Sequence, residues 1–412
     1  MSEMRTTCCV VGGGPAGVML GYLLARAGVT VAVLEKHKDF FRDFRGDTVH
    51  PSTMQLMKQV GLLQDFLQQP HQVVETVGGI YGNYSFQLGD LRTLPIDTPY
   101  IALMPQWDFL NFLSSKAKAY PEFSLLMEHE ATALMEREGR VRGVVVQTPA
   151  GEQQIEADLV VACDGRHSRM RQAAALPLKD LGVPIDVLWF RLSKTQNDPL
   201  KAVMANINYG KMLILIDRED YFQAGLIIRK GRFAELQQQG IEQFRHSLQQ
   251  VAPQLGDRVQ EIHDWGDVKL LTVQVNRLLQ WWRPGLLCIG DAAHAMSPVF
   301  GVGINLAIQD AVATANLLAG PLRAGQNTDA LPARVQRRRT FPVRVIQRMQ
   351  ITVHRGLKTI FAHSGPMRPP PMLRLAVHLP GLKRLLARVV GLGIRGERVR
   401  TPDVHSGSPN KE

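Results

Sequence analysis

The sequence predicts an α/β (α+β) chain: a parallel-sheet domain of nucleotide-binding type, interrupted by an inserted antiparallel sheet and followed by a C-terminal helical region. Three observations predict it. At the N-terminus a β-branched run, a glycine turn, an alanine- and leucine-rich stretch and a second apolar run follow one another. Between residues 183 and 230 short alternating runs separated by turns replace that pattern. A second glycine-rich turn, inside "GLLCIGDAAHAMSPVFGVGINLAIQDA" at 285–311, then restores strand–turn–helix order.

Taken in order, Thr6–Val11 reads as a buried strand, Pro15–Ala27 as a helix and Val29–Leu34 as a second strand, a βαβ unit. Its turn, Gly12-Gly13-Gly14-Pro15-Ala16-Gly17, fits G-x-G-x-x-G. Gly12 makes the tight turn, Gly14 lets a pyrophosphate approach the backbone, and Gly17 lets helix and strand pack closely. The helix N-terminus, opened by Pro15 and Ala16, offers free N–H groups and partial positive charge to an anion. Glu35, followed by Lys36, closes the second strand 23 residues after Gly12, where it can accept hydrogen bonds from a ribose. Strand, helix, second strand and acid together make a Rossmann-like dinucleotide site.

Ser52-Thr53-Met54-Gln55 fits a capping box and starts a helix that Gly61 ends after Val60. A further helix spans roughly Trp107–Tyr120, and strand-like runs occupy 140–148 and 155–162, the second ending at Asp164-Gly165. "VPIDVLWFRL", "KAVMANINYG", "KMLILID" and "YFQAGLIIRKG" alternate and turn at Gly210 and Arg218–Asp220, an antiparallel sheet. The expected division is therefore 1–180 with 267–320, including small mixed segments within 70–105, then an inserted substrate domain at 181–266 and a basic C-terminal helical region and tail at 321–412. A helix beginning near Ile304 is expected to end before Gly320-Pro321, and Pro366–Pro371 reads as a linker. Leu382, Leu385, Leu386, Val389 and Val390 recur at helical spacing opposite Lys383, Arg384 and Arg388, an amphipathic helix.

The chain has 412 residues, 45% apolar and 21% charged, the composition of a globular protein. Four cysteines without C-x-x-C spacing read as reduced core thiols, which excludes structural zinc and any other metal from the expectation. With neither a secretion signal nor an apolar run of membrane-span length, a cytoplasmic location is expected. The net charge of +11 is concentrated: residues 321–412 carry +14 and the rest −3, with no nucleic-acid motif, so nucleic acid is not an expected partner. Weak peripheral membrane contact through the basic C-terminal region and a homodimer are the macromolecular contacts this pattern suggests.

With Gly12–Glu35, Asp164–Arg171 and Gly290–Asn305 placed, the sequence resembles the single-component FAD-dependent aromatic hydroxylases, the para-hydroxybenzoate hydroxylase-like flavoprotein monooxygenases, over roughly residues 5–320. The resemblance implies a Rossmann-like FAD-binding domain of GR2 type in which Gly12, Gly14, Pro15, Ala16, Gly17, Glu35 and Lys36 serve the ADP half of FAD. "CDGRHSRMR" matches D-G-x-x-S-x-x-R at Asp164, Gly165, Ser168 and Arg171, implying service to FAD and to the nicotinamide cofactor. "GDAAHAMSP" implies that Asp291 bonds the ribityl chain and Pro298 lies by the isoalloxazine. FAD is long, and the second glycine turn answers that length: Gly301 and Gly303 relieve the backbone at the flavin end, while the helix starting at Ile304 and Asn305 aims its positive terminus at the reduced ring.

Arg45 matches an arginine near the flavin path and Gln106 a polar residue on the ribityl chain or flavin; an exposed loop arginine and a helix cap are the competing readings. Position 300 is Phe where many relatives have Gly, and His294 reads as a structural turn residue more readily than as a base. Trp189, Arg191, Met204, Asn206, Phe222, Gln223 and Pro298–Phe300 are the expected substrate-facing positions, and no catalytic base is assigned. The implied reaction is hydroxylation of a small aromatic or other hydrophobic substrate with NADPH or NADH and O₂, through a flavin hydroperoxide. The competing reactions are an FAD-dependent dehydrogenase or reductase of lipophilic isoprenoid or quinone compounds and a plain NAD-dependent dehydrogenase.

Overall fold

The computed structural model describes residues 3–41, 48–195, 198, 203–218 and 220–406. The first sheet is built on the strand Glu3–Val11, paired in parallel with Val31–Glu35 on one side and Gly151–Ala162 on the other. Phe123–Met127 and Leu286–Cys288 extend it in parallel, and Glu130–Arg137 with Arg140–Thr148 add an antiparallel hairpin. The central strands are continuous apolar runs rather than alternating ones because both faces are covered. Cys8, Cys9, Val10 and Val160 are accordingly fully buried. Burial pushes the Cys9 thiol up to about 12, so it is an inert core group, and all four cysteines are free.

The second sheet runs Lys269–Leu271, Ile185–Ser193, Tyr221–Arg229, Lys211–Asp217, Val203–Asn208, Thr76–Tyr81 and Tyr84–Asp90. Its pairings are antiparallel except one: Val203–Asn208 lies parallel to Thr76–Tyr81. The hairpin at 76–90, read from sequence only as mixed segments, thus completes this sheet. One sheet face packs on the helix Ile241–Val251 through Leu188, Phe190, Phe222 and Phe244. The other face turns toward the helix Pro332–Phe361 through Ile207, Ile227, Leu357 and Ile360.

Several helix boundaries differ from expectation for local reasons. The helix expected from Ser52 begins at Pro51 with no side-chain cap, because proline pre-sets the first helical φ. The next covers Gln106–Ala117 rather than extending to Tyr120. The helix Gly303–Arg323 continues through Gly320-Pro321, where Gly320 has no Cβ to clash with the proline ring and only two residues follow. Among the described residues one helical stretch, Val299–Arg323, is long and apolar enough to cross a membrane, and 78% of its apolar window is buried.

Beyond Pro332–Phe361 come Pro371–Val377 and Pro380–Leu392. The last of these buries Ala387 and Val390 against Leu91 and Leu94, whereas Leu385, expected on its packed face, is 57% exposed. The chain then runs back across the first domain: Arg26 Nη1 donates to the Thr401 carbonyl (2.9 Å) and Val404 N to the Arg26 carbonyl (3.0 Å).

Candidate active site

Both sheets open onto one cavity of about 2230 Å³. Its first end is the turn after Glu3–Val11. Gly12 has φ +108°, and a Cβ there would lie 2.5 Å from the Cys163 carbonyl oxygen, so strand and neighbouring loop can meet only around a glycine. A Cβ at Gly14 would meet nothing within 4 Å, since that residue faces the cavity. Glu35 accepts from Gly13 N (3.2 Å) and His37 N (3.1 Å), which holds its carboxylate at the cavity wall. Asp164 accepts from Met170 N through Oδ2 (3.1 Å), while its buried Oδ1 has no hydrogen-bond partner; burial raises its pKa over the opposing hydrogen bonds. An open glycine cradle at a helix N-terminus beside a carboxylate oxygen short of a donor fits a dinucleotide.

The second glycine turn forms the middle of the cavity. Asp291 sits on its wall, 3.7 Å from Arg166 Nη2, a cation in an unspecified position of the D-G-x-x-S motif that sequence reading passed over. Gly301 has φ +61° and its carbonyl accepts from Thr48 Oγ1 (2.8 Å); a Cβ would press on that hydroxyl at 2.7 Å. Phe300 also adopts a left-handed backbone, φ +70°, and lines the cavity. Ser297, on the same wall, has Oγ 2.9 Å from His354 Nε2, and burial lowers His354 to about 4, leaving a neutral imidazole at neutral pH. His354 comes from the Pro332–Phe361 helix, and no sequence signal linked it to this turn.

Of the sequence-derived cofactor positions, Gly12, Gly14, Pro15, Ala16, Glu35, Lys36, Gln106, Asp164, Gly165, Asp291, Pro298, Gly301, Gly303 and Ile304 line the cavity. Gln106 caps no helix with its side chain. Gly17, Arg171 and Asn305 stand behind the wall. A Cβ at Gly17 would lie 2.0 Å from the Gly12 carbonyl oxygen. Arg171 donates to the carbonyls of Ala292 (3.0 Å) and Arg166 (2.8 Å), tying the two motif loops together. Asn305 Oδ1 accepts from His50 N and Thr53 Oγ1. Arg45 lies outside the described residues. His294 is buried with Nε2 donating to Asp310 (2.5 Å), a structural pairing.

Four of the six substrate positions expected on the second sheet are corrected. Trp189 and Gln223 line the cavity, but Phe222 is buried in the core on the opposite face, as Met204 and Asn206 are turned away, and exposed Arg191 stacks over Tyr221 at 4.9 Å. Side chains alternate along a strand, so Phe222 and Gln223 face opposite ways and Met204 and Asn206 point away together, whereas Arg191 shares the face of Trp189 at the exposed end of its strand, outside the cavity lining. The cavity-facing members are instead Val187, Ala205, Ile207, Ile214 and Ile227. Val353, Leu357 and Ile360 close the cavity from the C-terminal region, which periodicity alone could not dock.

A family profile described as FAD binding domain matches residues 5–349. The chain is 30% identical over 416 residues to 6-methylpretetramide 4-monooxygenase of Streptomyces rimosus, covering 98% of this chain and 96% of that one. It is 23% identical to para-nitrophenol 4-monooxygenase of Pseudomonas sp., covering 81% and 82%. Among solved structures, PqsL, a probable FAD-dependent monooxygenase from Pseudomonas aeruginosa, superposes with a TM-score of 0.74 at 21% identity over 87% of this chain and 98% of that one.

Proposed function

We propose, from the premise that the chain belongs to the FAD binding domain family, that its substrate is a fused, multi-ring aromatic compound. The chain is an FAD-dependent monooxygenase that uses NAD(P)H and O₂ to hydroxylate an aromatic substrate. Several of its matched relatives are named monooxygenases, which favours oxygen transfer over the dehydrogenase or reductase reaction.

The observation that carries the substrate class is the cavity. At about 2230 Å³ it has room for FAD and a substrate together, so the substrate class is read from the character of the walls beyond the dinucleotide. A dinucleotide accounts for the first end. The remaining walls, Trp189, Ile207, Ile214, Ile227 and Ile360, are apolar and suit stacked fused rings rather than a single phenol. The relative named 6-methylpretetramide 4-monooxygenase, similar over nearly the full length of both chains, supports a substrate of that kind.

We assign Gly12–Ala16, Glu35 and Lys36 to the ADP half of FAD, Asp164, Gly165 and Asp291 to its middle, and Gln106, Pro298, Gly301, Gly303 and Ile304 to the flavin end, with Arg45 carried over from the family resemblance and Gly17, Arg171 and Asn305 supporting the walls. When bound, FAD supplies electron transfer from NAD(P)H and activation of O₂. The chain's own groups do the rest. The N-terminus of Gly303–Arg323 presents positive partial charge to the cavity, the apolar sheet face excludes water, and Ser297 Oγ paired with His354 can hold or pass a proton at the wall.

The test is substrate-dependent NAD(P)H oxidation and ¹⁸O incorporation from ¹⁸O₂ across monocyclic and fused tri- or tetracyclic phenols. Labelled product from fused rings with little from single rings is expected; the reverse preference overturns the substrate class. We further assign residues 1–180 with 267–320 to cofactor binding, apart from the hairpin at 76–90 and the strand Lys269–Leu271 that belong to the second sheet, 181–266 to substrate and 321–412 to a basic cover, in a cytoplasmic protein. Peripheral contact with an anionic membrane is assigned to this cover, where Met372 (83%), Leu375 and Leu385 are exposed beside Arg374, Arg384 and Arg388. A homodimer is the competing use of the same surface. Salt-sensitive co-sedimentation with anionic vesicles separates membrane contact from the other uses, and the mass of the protein in solution separates a dimer from a purely solvated face.

A further inference from the structure

The Gly303–Arg323 helix carries a fully buried acid, Asp310, that no cofactor motif includes. Its Oδ2 accepts from Gly290 N (3.1 Å) and His294 Nε2 (2.5 Å), both in the turn that carries Asp291. Its Oδ1 accepts from Arg339 Nε (2.7 Å), and Arg339 is only 1% exposed. Arg339 Nη1 lies 3.6 Å from Glu397, whose carboxylate also accepts from Arg338 Nε at 2.7 and 2.8 Å. Glu397 belongs to the chain that runs back after the last helix, and its side chain is 1% exposed. A buried row of alternating charge, Glu397, Arg339, Asp310, thus joins that segment to the backbone of the second glycine turn.

The same segment touches a second part of the site. A cavity of about 20 Å³, room for a single water, lies between Arg339, Asn305, Ile394 and Gly396. Arg339 Nη1 and Asn305 Nδ2 are both buried donors without a hydrogen-bond partner. Asn305 stands in the first turn of the Gly303–Arg323 helix, behind the cavity wall.

We propose that Glu397 is a positioning residue for the cofactor turn: by holding Arg339 on Asp310 it fixes the Gly290–His294 backbone, and with it Asp291, in the FAD-binding arrangement. The segment at 394–400 and FAD are then energetically coupled. Coupling is reciprocal, so whatever factor the segment adds to FAD affinity, bound FAD returns to the docking of the segment. Couplings of this kind amount to about 5- to 150-fold in affinity. The inference rests on FAD binding by this chain; a wild-type protein that bound no FAD would fail that reading, before this one is tested.

The experiment compares wild type with Glu397→Ala and Glu397→Gln, and with Asp403→Asn as control. Asp403 anchors the same segment through Tyr120 Oη (3.1 Å) and Arg26 (3.3 Å), outside the charged row. FAD is titrated into each apoprotein by flavin fluorescence, and amide exchange at 394–400 is followed with and without FAD. Both Glu397 variants are expected to weaken FAD at least about 5-fold, Asp403→Asn to stay within about 2-fold, and FAD to slow exchange at 394–400 in wild type but not in Glu397→Ala. A Glu397→Ala protein with a lower melting temperature and wild-type FAD affinity overturns the proposal, leaving Glu397 a stability residue. If that variant does not fold, Glu397→Gln and the wild-type exchange decide: wild-type FAD affinity in the first, or exchange indifferent to FAD in the second, overturns it equally.

Discussion

Phe300 offers a direct test of how the second turn is built, because its backbone and side chain pull in opposite directions. At φ +70° and ψ −2° it occupies the left-handed region, which costs a non-glycine residue about 1–2 kcal/mol. Its ring is half-buried on the cavity wall, packed on both the first core and the cluster around Leu91. Half of the roughly 1.5–3 kcal/mol for fully burying a phenylalanine is about 1 kcal/mol. Phe300→Ala loses the ring and keeps the strain, so it should be destabilised by about 1 kcal/mol. Phe300→Gly loses the ring and sheds the strain, at a further cost of about 0.4–1 kcal/mol from the freer unfolded chain. Glycine should therefore be the more stable of the two by roughly 0.5–1 kcal/mol, the reverse of the usual order. Thermal unfolding of the FAD-loaded proteins reads this as a difference of about 0.5–1 °C, and denaturant unfolding gives the same order. The same glycine variant enlarges the cavity and should raise turnover of the bulkiest fused-ring substrates. An alanine variant at least as stable as the glycine one would falsify the claim that the turn stores strain at this residue.

Three further outcomes follow from the site. Asp310 has a pKa below the usual carboxylate range, since His294 and Arg339 outweigh the opposing effect of burial. Its stabilisation is therefore present above the unfolded value of about 3.9 and is lost as pH falls through the lower folded value. Melting temperature against pH should steepen below about pH 4 in wild type and flatten in Asp310→Asn, which also loses roughly 3–5 kcal/mol at pH 7 by stranding Arg339. Asp291→Ala removes a carboxylate acceptor and should weaken FAD about 10- to 100-fold by fluorescence titration; unchanged affinity would remove Asp291 from the cofactor assignment. Ala205→Phe, which fills the apolar end of the cavity, should cut kcat/KM for fused-ring phenols at least about 10-fold and leave flavin content intact, and an equal loss for single-ring phenols would argue against the size-based reading.

The glycine-turn end of the cavity was legible in the sequence, because that end is made of local geometry. A positive φ at Gly12, contact-free space over Gly14, a strand-terminal acid at Glu35 and a second turn at Gly301 are demands that a few consecutive residues meet, so they appear as motifs. The apolar end of the cavity emerged only on folding. Whether Phe222 or Gln223 faces the cavity depends on which sheet face finds a partner, and strand alternation is compatible with either. The hairpin at 76–90 joined the second sheet through a parallel pairing more than a hundred residues away, a register no local pattern encodes. Asp310, Arg339 and Glu397 lie on three separate segments, each unremarkable in its own neighbourhood. They become one buried row only because desolvation obliges every buried charge to find an opposite, and packing of the whole chain selects which one it meets.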